Sequence, residues 1–235
     1  MRRSLLQTAA LTIIGLSSAL ALAQDATVAF PHNYRTVLDN PEVTVIRAHY
    51  GPHESVGVHD HSSHPTVYVY LNDSGPVRFV HEPENVILTR PPTHTGAFRV
   101  SPGRAERHSL VNLSDKPSDY LRVELKTVPI GTFKQEFRGP APAYPLEPGT
   151  TLAFENSVLR IERSICDPHT TCALSEETAP SVFVAFTPTE LANGHRWHLI
   201  DASSAVAWLP EDHAATIRAA GDAPAHILRI LLLPH

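Results

Sequence analysis

Thr66-Val67-Tyr68-Val69-Tyr70-Leu71-Asn72-Asp73-Ser74-Gly75-Pro76-Val77-Arg78-Phe79-Val80 decides the fold class of this chain. Two short runs of β-branched and aromatic residues flank a cluster of turn formers, which reads as strand, turn, strand. Val43-Thr44-Val45-Ile46 and Leu121-Arg122-Val123-Glu124-Leu125 repeat the pattern, with Pro102-Gly103 as further punctuation. Period-2 alternation interrupted by frequent turns predicts strands of a sandwich or barrel. No long helical stripe stands out beyond the N-terminus. Leu209–Ala220 supports a helix, although Trp208-Leu209-Pro210 also reads as a strand end.

Working outward, the chain is written twice. At a constant offset of 116, Asn40 matches Asn156, Arg47 matches Arg163, Pro52 matches Pro168 and His53 matches His169. Val43 and Val45 fall on Leu159 and Ile161. A second match closes each half: Asp115-Lys116-Pro117 through Leu121-Arg122-Val123 corresponds to Asp222-Ala223-Pro224 through Leu228-Arg229-Ile230. There the offset is 107, so the second half is nine residues shorter. Self-similarity on this scale predicts two copies of one β unit. Pro129 to Pro148, with Pro140, Pro142 and Pro145, reads as the linker, because proline resists both helix and ladder pairing. The expected division is 24–128 for a first barrel, 129–148 for the linker and 149–235 for a second barrel.

Composition narrows the function. The 235 residues are 42% hydrophobic and 18% charged, an ordinary globular balance. Nineteen Lys+Arg against 24 Asp+Glu leave a formal charge of −5, and Lys116, Lys126 and Lys134 are the only lysines. With no basic run, nucleic acid and anionic membranes lose their main attraction as partners. Met1-Arg2-Arg3, an apolar stretch from Leu5 to Leu22 and Ala21-Leu22-Ala23 before Gln24 form an export signal spanning 1–23. The mature protein is then expected in a bacterial periplasm or outside the cell, without a membrane anchor. Cys166 and Cys172 are the only cysteines, and in an oxidising compartment the turn Asp167–Thr171 lets them close a disulfide.

Fifteen histidines are many for this length, and nine lie between His32 and His108. His59-Asp60-His61 puts two imidazoles on one face of a strand, so both reach one ion if that face points inward. Alone, such a pair suits a polar loop equally well. His108 changes the balance. Gly96, five residues, Pro102, and then His108, three residues, Asn112 resemble the second motif of the cupin superfamily, with Gly103 directly after the proline and one extra residue before the histidine. His59 and His61, closed by Gly75, resemble the first motif, whose glutamate would fall at Pro65 or Thr66 and is missing. Together with the repeat, the resemblance covers nearly the whole mature chain and is to a two-barrel member, a bicupin. It implies an all-β fold of two tandem cupin-type β-barrels (double-stranded β-helix, or jelly roll), the second degenerate.

That resemblance implies one divalent transition metal (Fe, Mn, Ni, Cu or Zn) on His59, His61 and His108 in the first barrel. His64 and Glu106 are the candidates for a fourth ligand, and Glu106 is also the one nearby carboxylate available as a general base. Tyr68, Tyr70, Phe79, Phe98 and Arg99 are expected to wall a pocket for a small-molecule ligand or substrate. Arg104 and Arg107, flanking His108, read as receivers for a carboxylate or as solvated loop residues. His53 and His169 share a turn role. His195 and His198 face opposite ways in a strand, and His32, His81, His94 and His226 read as solvated. At the repeat offsets His59, His61 and His108 become Ser175, Glu177 and Ala215, with His213 reaching the last place only through a gap. The second half is therefore expected to carry no metal and to cover the first barrel, close a pocket or form a homodimer surface. Metal-dependent oxygenase-type chemistry on a small organic molecule is the leading reading; a non-catalytic ligand-binding, metal-binding or structural cupin protein is the alternative.

Overall fold

The computed structural model describes residues 24–234 apart from 177–178, 194–195, 202–204 and 211–214, so the stretch 1–23 expected to direct export, Glu177, His195 and His213 lie outside the described residues. A four-residue helix, Ala26–Ala29, precedes an all-strand chain. The first half holds β1 (Tyr34–Asp39), β2 (Val43–Tyr50), β3 (Ser55–His61), β4 (Thr66–Tyr70) and β5 (Val77–His81). It continues with β6 (Val86–Arg90), β7 (Phe98–Ser101), β8 (Glu106–Asn112), β9 (Ser118–Leu125) and β10 (Phe137–Gly139). The second half holds β11 (Gly149–Glu155), β12 (Leu159–Cys166), β13 (Thr171–Ala173), β14 (Ser181–Ala185) and β15 (Thr189–Asn193). Last come β16 (Arg196–Ile200), β17 (Val206–Leu209), β18 (Ala215–Ala219) and β19 (Ala225–Leu232). Leu209–Ala220 thus takes the strand alternative at both ends. No described helix is long and apolar enough to cross a membrane.

Each half builds a large and a small sheet. The first pair is ordered β1-β2-β9-β4-β7-β10 and β3-β8-β5-β6; the second is β11-β12-β19-β14-β17 and β13-β18-β15-β16. Apart from β10, which has no counterpart in the second half, the topologies coincide strand for strand, which is the repeat written in space. The 116 offset carries β2 onto β12, and the 107 offset carries β9 onto β19. His53 and His169, at equivalent turns, both adopt positive φ, 54° and 62°.

The central strands of the large sheets are buried on both faces. In β4 and β9, Val67, Val69, Leu121 and Val123 point one way into a core shared with Leu159, Ile161, Val182, Val184, Leu228 and Ile230 of the second barrel. Tyr68, Tyr70 and Tyr120 point the other way, into the first barrel. The two large sheets therefore pack face to face, and each barrel's small sheet closes the opposite side. The second interior is filled by residues such as Phe183, Leu191, Ile217 and Ile227.

The proline-rich segment does more than connect. Phe137–Gly139 pairs antiparallel with β7, Gly139 opposite Phe98, before Pro140 ends the ladder for want of an N–H. Glycine is required at 139, since a Cβ there would lie 2.0 Å from the Phe98 ring. Phe98 itself belongs to the core between the barrels, which corrects its placement in the pocket wall: its neighbours on β7 alternate, so Arg99 faces the cavity and Phe98 the seam.

Candidate metal centre and its cavity

β3 and β8 run antiparallel with His59 opposite His108 and His61 opposite Glu106. A bulge between Val56 and His59 puts one extra residue in β3. Without it, the alternation begun by Val56 would carry Val58 and Asp60 inward. With it, Val58 is exposed and His59, His61 and His108 turn into the barrel, at 0%, 7% and 4% exposure. Their ring centroids stand 4.8, 4.8 and 5.1 Å apart. One donor nitrogen from each lies within 4.8 Å of the others.

The hydrogen bonds fix how these rings present themselves. His59 Nδ1 donates to the Gly57 carbonyl at 2.8 Å, since a carbonyl only accepts, and this leaves Nε2 with its lone pair facing the cluster. Nε2 of His59 is 3.1 Å from Nε2 of His61. Tyr34 Oη reaches the same His59 nitrogen at 2.9 Å and begins a buried chain of hydroxyls, Tyr34 to Tyr50 at 2.8 Å and Tyr50 to Tyr120 at 2.6 Å. Burial raises Tyr34 and Tyr50 well above the ordinary phenol range, so the chain is neutral. Burial also lowers His59 and, with Arg122, lowers His61. His108 is pushed down to about 3 by burial and by His59.

This donor set fits a metal ion. All three imidazoles are neutral at physiological pH, the state a ligand needs. Both ring nitrogens of His108 are buried with no hydrogen-bond partner among the described residues, and a coordinated ion would satisfy one of them. Two nitrogens bound at right angles, each about 2.1 Å from one ion, stand roughly 3 Å apart, as His59 and His61 do. Three imidazoles suit Fe, Mn, Ni, Cu or Zn and suit Mg or Ca poorly.

The remaining candidates separate. His64 stays half-buried outside the cluster, its carbonyl accepting from Thr66 Oγ1 at 2.9 Å. Glu106 shares the inward face of β8 with His108 but is not part of the cluster. Arg122 Nη1 holds it at 3.0 Å and Tyr68 Oη donates to it at 3.3 Å. Burial pushes Glu106 up, but Arg122 and its neighbours outweigh that and bring it down to about 2. A carboxylate so poor in proton affinity makes a weak general base near neutrality.

A cavity of about 70 Å³ opens beside His108 and Glu106, lined by Tyr68, Tyr70, Phe79 and Arg99 as the sequence suggests, and by Arg104 at its rim. Arg107 instead turns outward to Glu82, at 3.1 Å. Two histidines expected in solvent are not there. His81 is paired with His108 across β5 and β8 and lines the cavity. His226 is 1% exposed at the seam, where its Nε2 accepts from Arg163 Nη1 at 2.7 Å. His32, His94 and His198 are exposed. Sequence reasoning missed Arg90, Arg122, Tyr120 and Tyr34. Arg122 and Glu124 alternate with apolar residues, which in a strand reads as a solvent face; here that face is the barrel interior.

Among the described residues, the second barrel does not repeat the first one's histidine and tyrosine pattern. The ladder of β18 puts Ala215 where β8 has His108, and β14 puts Phe183 and Ala185 where β4 has Tyr68 and Tyr70. Ser175 donates to Glu162 at 2.7 Å. Cys166 and Cys172 form a disulfide across the β12–β13 turn.

No protein-family model matches the sequence, and no curated protein matches it; the likeness is structural. AerE from Microcystis aeruginosa superposes with a TM-score of 0.60 at 11% identity, over 86% of this chain and 97% of that one. YhaK from Escherichia coli gives 0.59 at 12%, over 90% and 99%. Salicylate 1,2-dioxygenase from Pseudoaminobacter salicylatoxidans, as adducts with gentisate, gives 0.51 at 12%, over 82% and 68%. These are cupin-fold proteins, and the fold of this chain is cupin-type.

Proposed function

We propose, from a cupin-type fold whose first barrel gathers three buried imidazoles, that this chain is an exported bicupin metalloprotein. His59, His61 and His108 hold one divalent transition metal, and the protein acts on a small organic molecule in the adjoining cavity. The observation that carries this reading is the inward convergence of the three rings, with His108 unpartnered, at the wall of an open cavity. An ion so held supplies Lewis acidity and open coordination positions when bound. This chain's residues do the rest: Gly57 orients His59, the neutral tyrosine hydroxyls back it from behind, and Arg122 anchors Glu106. Oxygenase-type chemistry is the proposed activity, supported by the dioxygenase among the structural neighbours and its small-molecule adduct. Residues 24–128 form the metal-bearing unit, 129–148 the connection and 149–235 the covering barrel. The Cys166–Cys172 bridge supports export.

Elemental analysis of untagged protein tests the centre. Near-stoichiometric transition metal is expected, falling to background in the double variant His59→Ala, His61→Ala, with circular dichroism unchanged. Equal metal in both proteins ends the proposal. A non-catalytic metalloprotein is the second reading, favoured by the one carboxylate of the cavity lining being tied to Arg122. Metal-dependent oxygen uptake in the presence of a bound organic molecule distinguishes the enzyme from the binder.

A further inference from the structure

The cavity beside His108 carries more positive charge than its carboxylates balance. Arg90, Arg99, Arg104, Arg122 and Arg138 line it, with Glu106 as the one acid of the lining. Two further carboxylates reach these cations: Glu124 meets Arg122 at 3.4 Å, and Glu136 meets Arg99 at 2.8 Å and Arg138 at 2.7 Å. Among the described residues, five guanidiniums therefore share three carboxylates.

The inner arginines also lie against aromatic rings. Arg99 lies 4.0 Å from the Tyr68 ring centre and Arg122 lies 5.1 Å from it. Arg90 stands 5.2 and 5.7 Å from the centres of Tyr70 and Tyr120. A ring face attracts a cation without neutralising it. The Nε atoms of Arg90, Arg99 and Arg122 are moreover buried with no acceptor among the described residues. Arg90 spends Nη2 on two serine hydroxyls, Ser118 at 2.8 Å and Ser74 at 3.3 Å, and meets no carboxylate among the described residues. The net positive lining, rather than these enclosed Nε atoms, is what an anion in the cavity meets. Phe79, Leu88 and Pro91 complete the wall with apolar surface.

We infer that this cavity receives a small organic carboxylate, its anionic end among Arg90, Arg99 and Arg122 and its apolar body against Phe79 and Leu88. Guanidinium forks match the carboxylate plane. A phosphate dianion would give up more hydration against Phe79, Leu88 and Pro91 than a monoanion does. Arg104 and Arg138, 66% and 63% exposed, stand at the rim and draw the anion in. Adjacency to a metal rests on the function proposed above; the anion site does not.

Titration calorimetry on the metal-free full chain tests it, with benzoate, benzyl alcohol and inorganic phosphate as probes. Benzoate is expected to bind at least about tenfold tighter than the neutral alcohol and than phosphate. Arg99→Met should weaken benzoate about tenfold or more, while Arg78→Met, exposed on β5 outside the lining, should not. Equal binding of benzyl alcohol, or an unchanged Arg99→Met, overturns the inference; phosphate binding as well as benzoate overturns the choice of carboxylate. The probe comparison needs no variant, so a misfolded Arg99→Met leaves the question decidable. In Mn(II)-loaded protein the benzoate protons should relax paramagnetically. Benzoate binding to the metal-free chain without that relaxation in the loaded one sinks the metal reading and leaves the anion site standing.

Discussion

His226 and Arg163 meet at the seam, where Arg163 also donates to the carbonyls of Gly96 at 2.6 Å and Pro140 at 3.2 Å. Burial and the Arg163 cation push His226 down to about 3, and burial lowers Arg163 to about 10. The sign follows directly. Below about pH 6.5 the unfolded chain protonates this histidine and the folded chain does not, so stability is full above that pH and declines towards pH 3. Urea midpoints measured across this range should fall as pH falls, and His226→Gln should flatten the slope. An identical slope in the variant would place the acid sensitivity elsewhere. His108 acts in the same direction in the metal-free protein. Tyr34 makes a different prediction. Tyr34→Phe removes its hydroxyl bonds to Tyr50 and His59 and should cost about 1 kcal/mol in urea unfolding, leaving metal content unchanged.

At the level of elements, the short strand β10 and the β12–β13 turn carry separate loads. Gly139→Ala drives a methyl into Phe98 and should cost roughly 1–3 kcal/mol, read as a lower urea midpoint. Replacing Cys166 and Cys172 by serine releases a short loop and should cost about 2 kcal/mol. Metal content should be untouched, because the disulfide and the imidazoles sit in different barrels. The bulge in β3 shows where sequence reading stops at this scale. His59 and His61 share a strand face by spacing alone, and that was legible. Which face points inward depends on one extra residue near Gly57, and no two-residue period announces it.

The two large sheets bury each other's outer faces, and the shared core runs from Val43 and Val123 to Ile161 and Ile230. Ile161→Ala should therefore cost about 2–5 kcal/mol, and the calorimetric and van't Hoff enthalpies of unfolding should agree. Two resolved transitions would mean the barrels fold independently. The same packing settles Leu121-Arg122-Val123-Glu124-Leu125, whose alternation of apolar and charged residues taken alone suits a strand with one wet face. Both faces are dry, one against the second barrel and one inside the first, where Arg122 and Glu124 are only 2% and 4% exposed.

Spacing and repetition along the chain determined the all-β class and the two-fold architecture, because those signals are local or recur at fixed offsets, while His108 joined His59 and His61 through the resemblance to the cupin motifs. Folding alone decided that Phe98 leaves the pocket for the seam, that His226 leaves the solvent and half-buried His81 joins the cavity wall, and that Arg90 and Arg122 enter the cavity. Alternation in a strand sorts side chains into two faces; only the neighbours packed against each face decide which of them meets water.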